Sequence, residues 1–184
     1  MIAYIRIPKT ASCTVLAALE NTGVKSVDHE PLSFYGDVDA SFTIIRNPWT
    51  RLFSWYRHAK YFQRRTFEEY VMGDELDPMN PVAPTQFYRH GNANQTDMLV
   101  ADQSAWWRGG RPTYIGKIEN LGSDIACIGK LMGFQPGEVR HLNKSNDRHD
   151  QPYDPKIWTP EMVERMAPIF TPFADEFGYL PPTK

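Results

Sequence analysis

The chain has 184 residues, 41% of them hydrophobic and 13% aromatic, which suffices for one buried core over residues 1–184 and argues against a disordered chain. Twenty Lys and Arg against 22 Asp and Glu give a formal charge of −2, which argues against a nucleic-acid partner. Two distant cysteines make no disulfide framework and no CxxC metal spacing, residues 1–7 carry Arg6 and are too short for a secretory leader, and no run of eighteen apolar residues would span a membrane; the expectation is a cytoplasmic protein.

Residues 2–7 are a short β-branched run closed by Pro8, the pattern of a buried strand. Pro8-Lys9-Thr10-Ala11-Ser12-Cys13-Thr14 follows. Residues 14–21 predict a helix, with Asn21-Thr22-Gly23 as its stop. Strand, hydroxyl-rich loop with one lysine, and helix make the layout of a phosphate cradle. Main-chain N–H groups at a helix start carry partial positive charge, Ser12 and Thr14 add hydroxyls, and Lys9 adds a full charge.

Residues 24–27 predict a second short strand, with Asp28-His29-Glu30-Pro31 as a polar break beyond it. Residues 41–45 predict a strand that ends at Arg46-Asn47-Pro48. Asn47 suits an N-cap and Pro48 the first helical position, so a helix is expected to about Phe62, with Trp49, Leu52, Phe53 and Tyr56 on its buried face. Residues 66–72 predict a short helix, 77–89 a loop, 94–99 weak helix, 112–118 a third strand and 123–132 a helix stopped by Gly133. Residues 140–145 read as a short extended piece. Residues 160–177 predict a last amphipathic helix that Pro168 and Pro172 break or kink.

Strands separated by helices imply an α/β fold with a parallel sheet covered on both faces. Ligands in such sheets lie beyond the carboxyl ends of the strands, which sets residues 8–14, Arg46 and Glu119 on one edge. The cradle is not a Walker A loop, because it has no glycine and its lysine comes first. With no Asp-ended strand to hold Mg²⁺, a small-molecule P-loop kinase is disfavoured. A phosphate or sulfate without bound metal suits the loop better. Arg46 can fork onto phosphate oxygens. Ser54 lies eight residues on, about two helical turns, so it reaches the same phosphate only if the chain bends locally.

Pro-Lys-Thr-Ala-Ser-x-Thr after the first strand, then Arg-Asn-Pro-x-x-Arg-x-x-Ser-x-Tyr, resembles the PAPS-dependent sulfotransferases, in particular the Golgi carbohydrate branch that includes the heparan sulfate uronosyl 2-O-sulfotransferase. Gln95-Thr96-Asp97, residues 114–121, His141-Leu142-Asn143-Lys144-Ser145 and Phe177-Gly178-Tyr179 match more loosely and in order. The chain departs from the pattern at Ala11 (glycine is common there), at Cys13 (threonine is usual) and at Asn47 (aspartate is usual).

The resemblance implies a three-layer α/β/α, P-loop-NTPase-like central parallel sheet and transfer of the sulfuryl group of PAPS to a hydroxylated acceptor, a carbohydrate by class, without metal. It implies that Lys9 stabilises the leaving phosphate, that Lys9, Thr10, Ala11, Ser12, Cys13 and Thr14 hold the 5′-phosphate end, and that Arg46 and Ser54 hold the 3′-phosphate. Lys144 and Ser145 then match the loop that closes over the nucleotide, with Arg148 a further phosphate contact. Relatives place a histidine or glutamate base where His29 and Glu30 stand. His29 is preferred for its ordinary pKa near about 6.5, with Glu30 the other choice. Trp106 and Trp107 are open to a sugar-stacking role or a packing one. Arg57, His58, Lys60, Arg64 and Arg65 are open to an acidic acceptor or to a solvated helix face. A nucleotide- or phosphosugar-binding protein without transfer activity is the alternative on the same fold.

Overall fold

Three parallel strands, β1 (Ile2–Ile5), β2 (Ala40–Ile45) and β3 (Tyr114–Lys117), pair in that order in the computed structural model, which describes residues 1–58, 63–73, 102–107, 110–140 and 153–182. Ile2 faces Ala40 and Ile5 faces Thr43 across the first pair; Phe42 faces Tyr114 and Ile45 faces Lys117 across the second. The helices are α1 (Ser12–Ala18), α2 (Pro48–His58), α3 (Phe67–Met72), α4 (Leu121–Met132) and α5 (Pro160–Phe177). The fold is therefore α/β with a parallel sheet. Among the described residues, no helix is long and apolar enough to cross a membrane.

The expected strand at 24–27 shrinks to one parallel bridge, Lys25 to Ala3. Lys25 N–H donates to the Ile2 carbonyl at 2.9 Å and its carbonyl accepts from Tyr4 N–H at 2.8 Å. The next rung would pair Val27 N–H with the Tyr4 carbonyl. The Tyr35 hydroxyl stands in its place, accepting from Val27 N–H at 3.1 Å and donating to the Tyr4 carbonyl at 2.8 Å. A side chain eight residues downstream thus ends the ladder after one rung. The bridge still lies along the edge of β1 opposite β2. The chain leaves β1 for one edge and returns on the other, so the carboxyl ends of β1 and β2 flank a topological switch point, the place where open α/β sheets bind ligands.

The described residues fall into two compact units, one of Met1–Arg46 with Ala105–Asp150, the other of Asn47–Ser104 with Gln151–Lys184. In the first, α1 and α4 bury Val15, Ala18, Leu121, Ile125 and Ile128 against Tyr4, Phe42 and Ile44 on one sheet face. Tyr4 stacks on Phe42 with ring centroids 5.0 Å apart. The Val, Leu, Ile and Phe side chains among these each contribute about 1.5–3 kcal/mol by leaving water.

Aromatic side chains build the second unit. Trp49 meets Phe170 edge-on at 5.6 Å, and Phe67 meets Trp158 edge-on at 5.1 Å. Trp49, Leu52 and Tyr56 are buried as their spacing predicts, and Arg51 is buried with them. Asn47 caps α2, its Oδ1 accepting from Trp49 N–H at 3.0 Å. Thr66 and Glu69 close a capping box on α3. The expected break in α5 does not occur: the helix runs through Pro168 and Pro172. Both prolines sit on the exposed side, one turn apart, where water can take up the carbonyls that lose their N–H partners. The expectations for 59–62, 77–89, 94–99 and 141–145 lie outside the described residues.

Candidate anion site

Backbone geometry shapes the loop after β1. Lys9 and Ala11 both take left-handed φ, 67° and 63°, and the chain enters α1 at Ser12. α1 starts two residues before the predicted helix and ends at Ala18, because Ala11 turns the chain sharply enough for Ser12 to be helical. For a residue with a Cβ, left-handed backbone costs about 1–2 kcal/mol, so the surrounding structure holds both turns against local preference. Left-handed residues running into a helix start turn successive N–H groups toward one concavity, a shape that takes anions. Ala11 offers no side chain to cap the first turn.

The hydroxyls divide. Thr10 is fully buried and its Oγ1 donates to the Ile7 carbonyl at 2.9 Å, so its proton braces the turn. Ser12 and Thr14 are buried at the first turn of α1, and Cys13 points to solvent. Arg46 follows β2 directly, and its Nη1 donates to the Lys9 carbonyl at 3.3 Å. The Thr43 hydroxyl ties the two strand ends by donating to the Ile5 carbonyl at 2.9 Å. Lys9 and Arg46 therefore stand together at the carboxyl ends of adjacent strands. Burial, then the Arg46 charge, pulls the Lys9 ammonium down to about 8, with Cys13 acting in the opposite direction.

His29 sits beside the end of β1. Its Nδ1 lies 3.1 Å from the Arg6 carbonyl, which can only accept, so Nδ1 carries the proton in that contact. Nε2 lies 3.7 Å from Asp28 Oδ1, and Arg6 Nη1 lies 3.2 Å from the same oxygen. The His29 carbonyl accepts from Trp106 Nε1 at 2.9 Å. Glu30 is half-buried; burial, then Asp28, raises its carboxyl above the ordinary value.

Residues 9–14, Arg46, His29 and Glu30 all belong to the first unit, where Arg46 meets Lys9 and His29 meets Arg6. Ser54 lies half-buried on α2 in the second. Glu119 is exposed in the turn after β3. Lys144, Ser145 and Arg148 lie outside the described residues, as do Gln95-Thr96-Asp97 and Lys60. Trp106 is fully buried, which removes it from any stacking surface; Trp107 is half-buried, with the Arg111 guanidinium 5.5 Å over its ring. Sequence reasoning passed over Arg6 and Asp28. The signal for Arg6 was a charge inside an otherwise apolar run; Asp28 had none beyond its place beside His29. Comparison of the chain with family models, with curated proteins and with solved structures gave no match.

Proposed function

We propose that the chain is a PAPS-dependent sulfotransferase, built on a three-layer α/β/α, P-loop-like core and acting on a hydroxyl of a carbohydrate acceptor. The observation that supports this reading is the pair of cations at the switch point: Lys9, half-buried and lowered to about 8, with the Arg46 guanidinium on its carbonyl. Two like charges held together in a partly dry setting favour an anion of high charge density. A donor phosphorylated at both ends of its nucleoside meets that demand. Arg46 matches the 3′-phosphate by its fork geometry, and the left-handed turns at 9 and 11 present main-chain N–H groups to the 5′ end.

In the proposed reaction an S–O bond forms to the acceptor oxygen as the bond between sulfur and the bridging phosphate oxygen breaks, and the electron pair leaves with the phosphate. Lys9 meets the charge that grows on that oxygen, as positioned cations do in the related phosphoryl transfers. His29 takes the acceptor proton, with Glu30 the second choice. The resemblance alone assigns Ser54, Lys144 and Ser145 to nucleotide binding.

Calorimetry with PAP, and separately with ATP plus Mg²⁺, tests the donor site; transfer of labelled sulfate from PAPS to a panel of glycans tests the chemistry. The expected result is metal-independent PAP binding that Arg46→Met weakens by tenfold or more, about 1.4 kcal/mol, with label on at least one glycan. PAP binding without transfer makes the chain a nucleotide-binding protein. Preference for ATP with Mg²⁺ makes it a kinase and overturns the proposal.

A further inference from the structure

We infer that Asp28 is a positioning residue for His29: braced by Arg6, it sets a carboxylate beside Nε2 of an imidazole that the Arg6 carbonyl holds in its Nδ1–H form. The inference rests on the reading of His29 as the base, and it stands on three contacts around one ring. The Arg6 carbonyl takes the Nδ1 proton at 3.1 Å, which fixes the tautomer. Asp28 Oδ1 lies 3.7 Å from Nε2. That is too long for a hydrogen bond, so the carboxylate does not tie up the nitrogen, and short enough for its charge to stabilise the imidazolium. Arg6 Nη1, 3.2 Å from the same oxygen, keeps the carboxylate in place. Trp106 anchors the backbone from the other side by donating to the His29 carbonyl.

The arrangement divides the work by atom. Nε2 accepts the proton of the acceptor hydroxyl as the new S–O bond forms, the ring becomes a cation, and Asp28 is the charge that receives it. Among the described residues, Arg6 and Asp28 meet the ring, Glu30 follows it in the chain, and the Tyr35 phenol feels both Arg6 and Glu30. The Arg6 guanidinium opposes a charged imidazole, and Asp28, 3.7 Å from Nε2, favours it.

The test is NMR titration of the His29 ring in the full chain, with the signal assigned by His29→Gln, in the wild type, Asp28→Asn and Asp28→Glu. Asp28 is mostly exposed, so both variants keep the fold. The expected result is a neutral ring in the Nδ1–H form and a His29 pKa that falls by about half a unit to one unit in Asp28→Asn, with recovery in Asp28→Glu. The acid limb of sulfuryl transfer shifts to lower pH by the same amount, and kcat falls roughly three- to tenfold while KM for PAPS stays within about twofold. An unchanged His29 pKa in Asp28→Asn, or a neutral ring in the Nε2–H form, overturns the inference. A wild type that transfers no sulfuryl group overturns the proposed reaction instead, and the titration still decides whether Asp28 governs the ring.

Discussion

In the proposed site Lys9 would stabilise a bound anion at the expense of the fold, and replacing it with methionine separates the two effects. The ammonium sits half-buried next to Arg46, and its pKa drops from 10.5 to about 8, by burial first and by the Arg46 charge second. Each pKa unit corresponds to about 1.4 kcal/mol, so the penalty on the folded state is at most about 3.5 kcal/mol. Lys9 keeps some contact with water, and screening reduces this to about 1–2 kcal/mol. Methionine fills the space of the stem without the charge, and it meets the left-handed backbone at 9 on the same terms as lysine.

The pH dependence carries the sign. Below about 8 the lysine is charged in both the folded and unfolded chain, and the penalty is complete. Between about 8 and 10.5 the unfolded chain holds the proton and the folded chain releases it, so wild-type stability rises with pH. Above 10.5 both forms are neutral and the penalty is gone. Urea denaturation should therefore show Lys9→Met about 1–2 kcal/mol more stable than the wild type at pH 7, with the gap closing toward pH 10. PAP at pH 7 should stabilise the wild type, through its preference for the folded state, and leave Lys9→Met nearly unmoved. A variant less stable than the wild type at pH 7, or a gain that does not vary with pH, refutes the reasoning.

Thr66→Ala removes the capping box of α3 and should lower stability by about 1 kcal/mol by urea denaturation. Pro168→Ala restores an N–H donor inside α5 on its exposed side; the gain, up to about 3 kcal/mol less about 0.4–1 for a freer unfolded chain, should appear as a rise of several degrees in Tm. Trp106→Phe takes the donor away from the buried contact with the His29 carbonyl and leaves a gap beside it, so stability should fall by about 2–3 kcal/mol in the same urea assay.

What the sequence revealed depended on how far apart the deciding residues lie. The junction of β2 and α2 was legible to the residue, because Arg46, Asn47 and Pro48 each act within a few residues: Pro48 presets φ and Asn47 accepts from the first turn. On α2 the 3.6-residue period found Trp49, Leu52 and Tyr56, while Phe53 is only half-buried and Trp55 is buried without having been expected; the placement of Lys9 beside Arg46 was legible from the rule that sheet ligands lie at strand ends. The failed second strand was not legible, because Tyr35 replaces its second rung from outside the segment. Nor was the start of α1, since alanine disfavours the φ of 63° that Ala11 adopts, and only the surrounding fold can impose it. The same limit hid the surroundings of His29. Arg6 reaches it by a main-chain carbonyl, which any residue type could offer, and Trp106 by a bond across 77 residues. The resemblance pointed to His29 or Glu30 as a base, but the groups that surround the His29 ring act through backbone geometry and tertiary contact. That is why the titration of His29 tests more of this site than its identity does.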